Sequence, residues 1–300
     1  MSLRNTLKGT GVALVTPFAK HESVDYNAFE KLLNFVINNG VEYLVVLGTT
    51  GEAPTLDKSE KIDIINFVYE KVGTRVPIVI GVGGNHTNGV VKELQTLPLD
   101  KAAAVLSSSP YYNKPTQEGI FQHYNKLAEA SPKPIILYNV PGRTGSNITA
   151  ETTIRLANES ANILGIKEAS GNMVQCMHIL AHRPNDFLVT SGDDHLALPL
   201  IAVGMDGVIS VAANCFPKDF SEMIRLSLLG DFNTAKSLLY KLINGFDLLF
   251  AENNPAGVKA YLAEMGIIEN YLRLPVVPVS DSLMNSIREN MAKLNVFTAA

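Results

Sequence analysis

Short runs of Val, Ile and Leu recur along the chain, with amphipathic segments between them. The runs begin at Gly11 (GVALVTP), Val41 (VEYLVVLG), Val76 (VPIVIGV), Lys101 (KAAAVLSSS), Pro134 (PIILYNV), Ile163 (ILGIKEA), Phe187 (FLVTSGD) and Gly207 (GVISVAAN). Several are almost unbroken in apolar character, as expected of strands covered on both faces. In Tyr26–Asn38, Ser59–Lys71 and Gln117–Ala130 the apolar residues instead recur three and four apart, which predicts helices. Asp57, with Glu60 three residues on, has the form of a capping box, and Thr149 stands where another cap belongs. The runs start about 28 residues apart on average, one strand plus one helix each. Eight such α/β units predict a closed (β/α)8 TIM barrel rather than an open Rossmann sheet.

Beyond the eighth run the pattern changes. Phe220–Leu229, Ala235–Phe250, Gly257–Met265 and Met284–Leu294 read as helices with no strand among them. The first is the eighth barrel helix and the rest form a C-terminal helical extension. The expected division is a catalytic barrel over 1–230 and an extension over 231–300. Apolar residues at 46% and charged residues at 18% exclude a disordered chain. A net charge of -4 leaves no basic surplus for a nucleic-acid partner. No run approaches 18 apolar residues and the opening MSLRNTLKGT has no signal-peptide core, so the expected location is cytoplasmic, with no membrane partner. Two cysteines, Cys176 and Cys215, are too few for a disulfide scaffold.

In a barrel the chemistry sits at the C-terminal ends of the strands. Those ends carry Gly48–Glu52 (GTTGE), Ser109–Pro115 (SPYYNKP), Tyr138–Gly145 (YNVPGRTG), Lys167–Gly171 (KEASG) and Ser191–Asp194 (SGDD). Lys167 follows Ile163-Leu164-Gly165-Ile166, so apolar atoms wall its stem. Burial disfavours an ammonium, and a neutral amine attacks a ketone to form a Schiff base. The alternative is a lysine paired with Glu168 or another carboxylate. Tyr138, at the end of the adjacent strand, is either a proton relay for that amine or a core tyrosine. Thr49 and Thr50 either cradle a carboxylate or cap a turn. Arg143 is either a fork for a substrate carboxylate or a solvated surface arginine. Asp193 and Asp194 lie where barrels often hold phosphate, and argue for a carboxylate-bearing substrate held elsewhere.

Other signals are weaker. Gly81–His86 lacks the GxGxxG spacing of a nucleotide loop. His178 and His182 near Cys176 are four apart on one helix that leads away from the catalytic face, and His195 after two aspartates is an incomplete ligand set. No cofactor and no metal are therefore expected. A metal-dependent barrel aldolase needs three convergent ligands that the sequence does not supply, and a non-catalytic binding barrel would leave Lys167 unreactive.

The ordered set GTTGE, SPYYNKP, YNVPGRTG, GIKEASG, SGDD and GVISVAAN, spread over Gly11–Leu274, resembles the pyruvate-dependent, Schiff-base-forming aldolases, the family that includes dihydrodipicolinate synthase and N-acetylneuraminate lyase. The resemblance implies that Lys167 forms an imine with pyruvate and that Tyr138 is the central acid–base residue. Thr49 and Tyr112 would complete its proton relay, with Tyr112 reaching in from a neighbouring subunit. Thr50 would hold the pyruvate carboxylate, the Ile209 backbone would contact the ketoacid, and Arg143 would stand at the entrance for L-aspartate 4-semialdehyde. The implied reaction is the condensation of these two substrates in the diaminopimelate route to lysine, by a homotetramer of two tight dimers without cofactor. The other branches act on N-acetylneuraminate or 2-keto-3-deoxygluconate; they usually lack an arginine where Arg143 stands. Lysine-sensitive members place histidines at Lys58 and Lys61 and a glutamate at Gly89, although Asn85 and Tyr111 match their regulatory pocket. Weak or absent feedback by L-lysine is therefore expected.

Overall fold

The structure is a computed structural model and describes residues 2–294. Eight parallel strands close into a barrel in chain order: β1 Gly9–Ala13, β2 Tyr43–Val46, β3 Ile78–Gly81, β4 Ala104–Ser108, β5 Ile135–Asn139, β6 Ile163–Glu168, β7 Leu188–Ser191 and β8 Gly207–Ser210. The expected fold class is the observed one. β1 starts two residues before the apolar run, because Gly9 and Thr10 find partners in Gly207 and Val208 of β8. Pairing, not hydrophobicity, sets that boundary.

The outer helices are α1 Tyr26–Asn38, α2 Lys58–Val72, α3 Thr87–Thr96, α4 Gln117–Ala130, α5 Ala150–Glu159, α6 Met173–His182, α7 Ala197–Ala202 and α8 Pro217–Leu228. The Asp57 capping box closes as predicted, with Asp57 accepting from the Glu60 N–H at 2.9 Å and Glu60 accepting from the Asp57 N–H at 3.0 Å. Thr149 caps α5 by accepting from the Thr152 N–H at 3.2 Å.

Alternation along each strand sorts the core into two. Val45, Val79, Leu106, Ile136, Tyr138 and Ile209 face the barrel interior, while Leu44, Val46, Ile135 and Leu137 pack outward beneath the helices. Tyr43 fills the interior near the N-terminal ends of the strands. A Cβ on Gly11 would lie 2.1 Å from its ring, so the ring fits only beside a glycine. Leu7, following the short turn Leu3–Thr6, packs into the same cluster and stops that end of the barrel.

Three helices follow the barrel: α9 Phe232–Phe250, α10 Ala256–Glu264 and α11 Asp281–Leu294. α9 packs on α7 and α8, and α11 packs on α9 and α10. α10 is buried along Ala256–Leu262. The link between α9 and α10 passes over the barrel mouth, which puts Asn253 and Asn254 on the rim of the central cavity.

Candidate active site

A cavity of about 620 Å³ opens at the C-terminal ends of the strands, where the barrel rule places chemistry. Lys167, Tyr138, Thr49, Thr50 and Arg143 all line it, together with Asp193 and Asn254. Five side chains from the ends of three strands, β2, β5 and β6, thus share one chamber.

Tyr138 on β5 pairs in register with Lys167 on β6, and alternation sends both into the barrel. Lys167 is only 4% exposed, and its Nζ lies 4.4 Å from the centroid of the Tyr138 ring. The same alternation turns Glu168 outward. Its carboxylate accepts from Asn139 Nδ2 and Gln175 Nε2, both at 2.9 Å, and from the Ser170 N–H at 2.7 Å. Glu168 is therefore satisfied by amide donors, and no carboxylate lies within ion-pair distance of Lys167 among the described residues. The ion-pair alternative for Lys167 is removed. Gly192 makes room for the amine: a Cβ there would stand 2.8 Å from Lys167 Cε and 2.6 Å from Ala169 Cβ.

Thr49 and Thr50 lie in the turn Thr49–Gly51, directly after β2. Thr50 Oγ accepts from Asn254 Nδ2 at 3.0 Å. A hydroxyl has one hydrogen and two lone pairs, so accepting from Asn254 leaves its own hydrogen free to be donated. Thr50 bears on both the barrel and the extension. Sequence reasoning missed Asn254, because nothing local links it to a residue 204 positions earlier.

It also missed Lys259. This lysine is fully buried in α10 with its Nζ 2.5 Å from Oε1 of Glu52, which is itself nearly unexposed. Burial pulls its pKa down to about 8 despite the opposing carboxylate. The stretch GVKAYL carried a usable signal, a lone lysine among apolar neighbours, as at Lys167.

Arg143 stands exposed on the turn Pro141–Thr144, and its Nη2 makes only long contacts, 3.5 Å each, with Asn253 Oδ1 and the Asn254 carbonyl. Its fork remains available at the rim. Tyr112 and Ile209 do not border the cavity. Ile209 is fully buried one layer deeper on β8, with Val211 taking the place at the mouth. Tyr112 is 87% exposed on a backbone with φ +74°, its N–H donating to the Thr144 carbonyl at 3.2 Å.

The weaker signals resolve locally. His178 and His182 are exposed on α6 and stack on one another, with His182 Nδ1 2.9 Å from the His178 carbonyl. His195 Nε2 lies 2.9 Å from Asp247 Oδ1. Asp194 is buried and accepts the N–H groups of Val211 and Ala212 at 3.2 and 2.9 Å; burial pushes its carboxyl up from the usual range. It braces the loop after β8, and only Asp193 of the pair lines the cavity.

Comparison with known proteins places the chain in a family. The profile of the Dihydrodipicolinate synthetase family matches residues 6–294. The chain is 52% identical to the 4-hydroxy-tetrahydrodipicolinate synthase of Parabacteroides distasonis, over 97% of this chain and 98% of that one. It is 53% identical to the enzyme of the same name from Flavobacterium psychrophilum, over 93% and 95%. Among solved structures, the chloride-inhibited dihydrodipicolinate synthase of Acinetobacter baumannii in complex with pyruvate superposes with a TM-score of 0.94 at 40% identity, covering 97% of this chain and all of that one. The chain belongs to the dihydrodipicolinate synthetase family.

Proposed function

We propose that the chain condenses pyruvate with L-aspartate 4-semialdehyde, the 4-hydroxy-tetrahydrodipicolinate synthase reaction, through a Schiff base on Lys167. The observation that carries the reading is the inward setting of Lys167 against Tyr138, with no carboxylate in ion-pair distance among the described residues, in a chamber shared with Thr49 and Thr50. Its membership of the family makes the chain a lyase of the class I, imine-forming type.

In this reading the Lys167 amine attacks the pyruvate ketone carbon. The carbinolamine loses water, with Tyr138 supplying and collecting the protons. Thr49, which lines the same cavity, passes protons to and from Tyr138, and the free hydrogen of Thr50 holds the pyruvate carboxylate. The protonated imine draws electrons from the methyl carbon; loss of a proton gives an enamine, which attacks the aldehyde. The substrate's own amino group then displaces Lys167 and closes the ring. Arg143 at the rim binds the carboxylate of the semialdehyde; Ile209, buried one layer below, does not border the space the ketoacid would occupy.

Tyr112 acts from a neighbouring subunit. A large, 87% exposed aromatic held on a left-handed backbone supports a role for Tyr112 at a contact with a second chain. The working form in this reading is a cytoplasmic homotetramer of two tight dimers, and no helix among the described residues is long and apolar enough to cross a membrane.

Incubation with pyruvate and borohydride, followed by peptide mass analysis, tests the proposal. A reduced pyruvate adduct is expected on Lys167 and is expected to vanish in Lys167→Ala. An unmodified Lys167 would overturn the reading. Turnover of aspartate semialdehyde compared with N-acetylneuraminate and 2-keto-3-deoxygluconate then decides the substrate.

A further inference from the structure

Lys259 takes no part in the chemistry described above, yet its surroundings are unusual for a lysine. It is completely buried, its Nζ lies 2.5 Å from Glu52 Oε1, and it donates to the Tyr271 carbonyl at 3.0 Å. The Phe18 ring centroid is 4.1 Å from that ammonium and 4.4 Å from the Arg273 guanidinium. Replacing a buried ion pair with apolar side chains is often neutral or stabilising, so stability alone is a weak reason to find one.

The position of Glu52 supplies a better reason. Glu52 closes the Thr49–Gly51 turn: its N–H donates to the Thr49 carbonyl at 3.1 Å and its backbone is left-handed, at φ +52°. A non-glycine residue adopts that conformation only where its surroundings hold it there. Here the hold is on the carboxylate, between Lys259 and the Arg273 N–H, which donates to Oε2 at 3.1 Å. On the cavity side the same turn is held by Asn254, donating to Thr50. The turn is thus gripped at two points, both by the segment that follows the barrel.

We propose that Lys259 is a positioning residue for the carboxylate subsite: through Glu52 it fixes the Thr49–Thr50 turn in the shape that aims the Thr50 hydroxyl into the cavity. This rests on the reading of Thr50 given above. Lys259 touches no substrate. Its effect falls on how well pyruvate is bound, while Tyr138 and Lys167, carried on β5 and β6, keep their places.

The test compares Lys259→Met, the double variant Glu52→Gln/Lys259→Met and Lys259→Arg. Each is measured for pyruvate KM, semialdehyde KM, kcat and borohydride trapping at saturating pyruvate. In the double variant, which leaves no unpaired buried charge, pyruvate KM is expected to rise about tenfold with kcat little changed, the pattern of lost ground-state binding. Trapping at saturation is expected to stay complete, and Lys259→Arg, which keeps the charge on Glu52, to recover most of the loss. A folded variant with unchanged pyruvate KM, or with its whole loss in kcat, would overturn the proposal. If the methionine variants do not fold, Glu52→Gln alone, which opens no cavity, decides by the same two outcomes. Failure of the wild-type chain to trap pyruvate brings down the reading of the site itself, whereas trapping with unaltered KM in the variants removes only the role of Lys259.

Discussion

Asn139 donates to the Glu168 carboxylate at 2.9 Å, one residue beyond the paired Tyr138 and Lys167 on the same two strands. The outward neighbours of the reacting pair are therefore tied together behind it. Asn139 also accepts the Ile148 N–H at 2.9 Å, so it joins the strands to the loop that follows. Replacing Asn139 with Ala strips one donor from a buried carboxylate, at a cost of about 1–3 kcal/mol. The expected result is a lower urea midpoint and a fall in kcat, with Lys167 still trapped at saturating pyruvate. An unchanged kcat would show that the tie does not set the geometry of the pair.

Gly192→Ala is a steric test of the same lysine. The added methyl meets Lys167 Cε and Ala169 Cβ at distances that real contacts do not reach, so one of them must move. The end of a lysine is easier to move than a strand. Stability is expected to fall by about 1–3 kcal/mol and the rate of imine trapping by at least about tenfold. Wild-type trapping kinetics in a folded Gly192→Ala chain would place the amine elsewhere.

Tyr138→Phe removes a hydroxyl and keeps the ring against Lys167. The fold, read by circular dichroism and melting temperature, is expected to survive, and turnover to drop by about 10²–10⁴. A near-normal rate would take the phenol out of the relay.

His123 gives a pH dependence of stability away from the site. It is 4% exposed on α4, its Nδ1 is 2.9 Å from Thr87 Oγ, and burial pulls its pKa from 6.5 down to about 4. The unfolded chain takes up a proton at this residue between pH 6.5 and 4 while the folded chain does not, so stability falls as pH falls through that window. The full loss is about 3 kcal/mol by pH 4. Denaturant titrations of wild type and His123→Gln at pH 7 and pH 4.5 are expected to differ in slope, the variant losing less on acidification. Equal losses would mean that His123 is not the group responsible.

Gly89 leads to a prediction about regulation. Glu93, in the same region, is 3.3 Å from Lys61, and a Cβ on Gly89 would press on the His86 ring at 3.0 Å. A carboxylate at position 89, which would pair with the amine of a bound amino acid, is missing. L-lysine is expected to inhibit weakly or not at all in a steady-state assay; a sub-millimolar inhibition constant would refute this.

The barrel was legible because eight strand runs and their helices carry distinct hydrophobic periods, and helices α1 and α4 fall on the expected residues. Lys167 was legible for a related reason, a charge at the end of an apolar run. Its choice between a carboxylate partner and a free amine was not, since alternation separates it from Glu168 only once the strand is placed. Asn254 and Lys259 escaped because their partners, Thr50 and Glu52, lie across some two hundred residues and meet only in three dimensions. Tyr112 enters only through the family resemblance, because neither its sequence surroundings nor the cavity lining of one chain connects it to Lys167.

The link across the barrel mouth bears on how this scaffold can be recombined. Grafting the GTTGE loop of a relative into this chain would set a foreign turn on a native support, with Asn254 and Lys259 shaped for the original. Chimeras among such enzymes should therefore keep the first quarter of the polypeptide and its last quarter from one parent, and draw their crossovers from the middle.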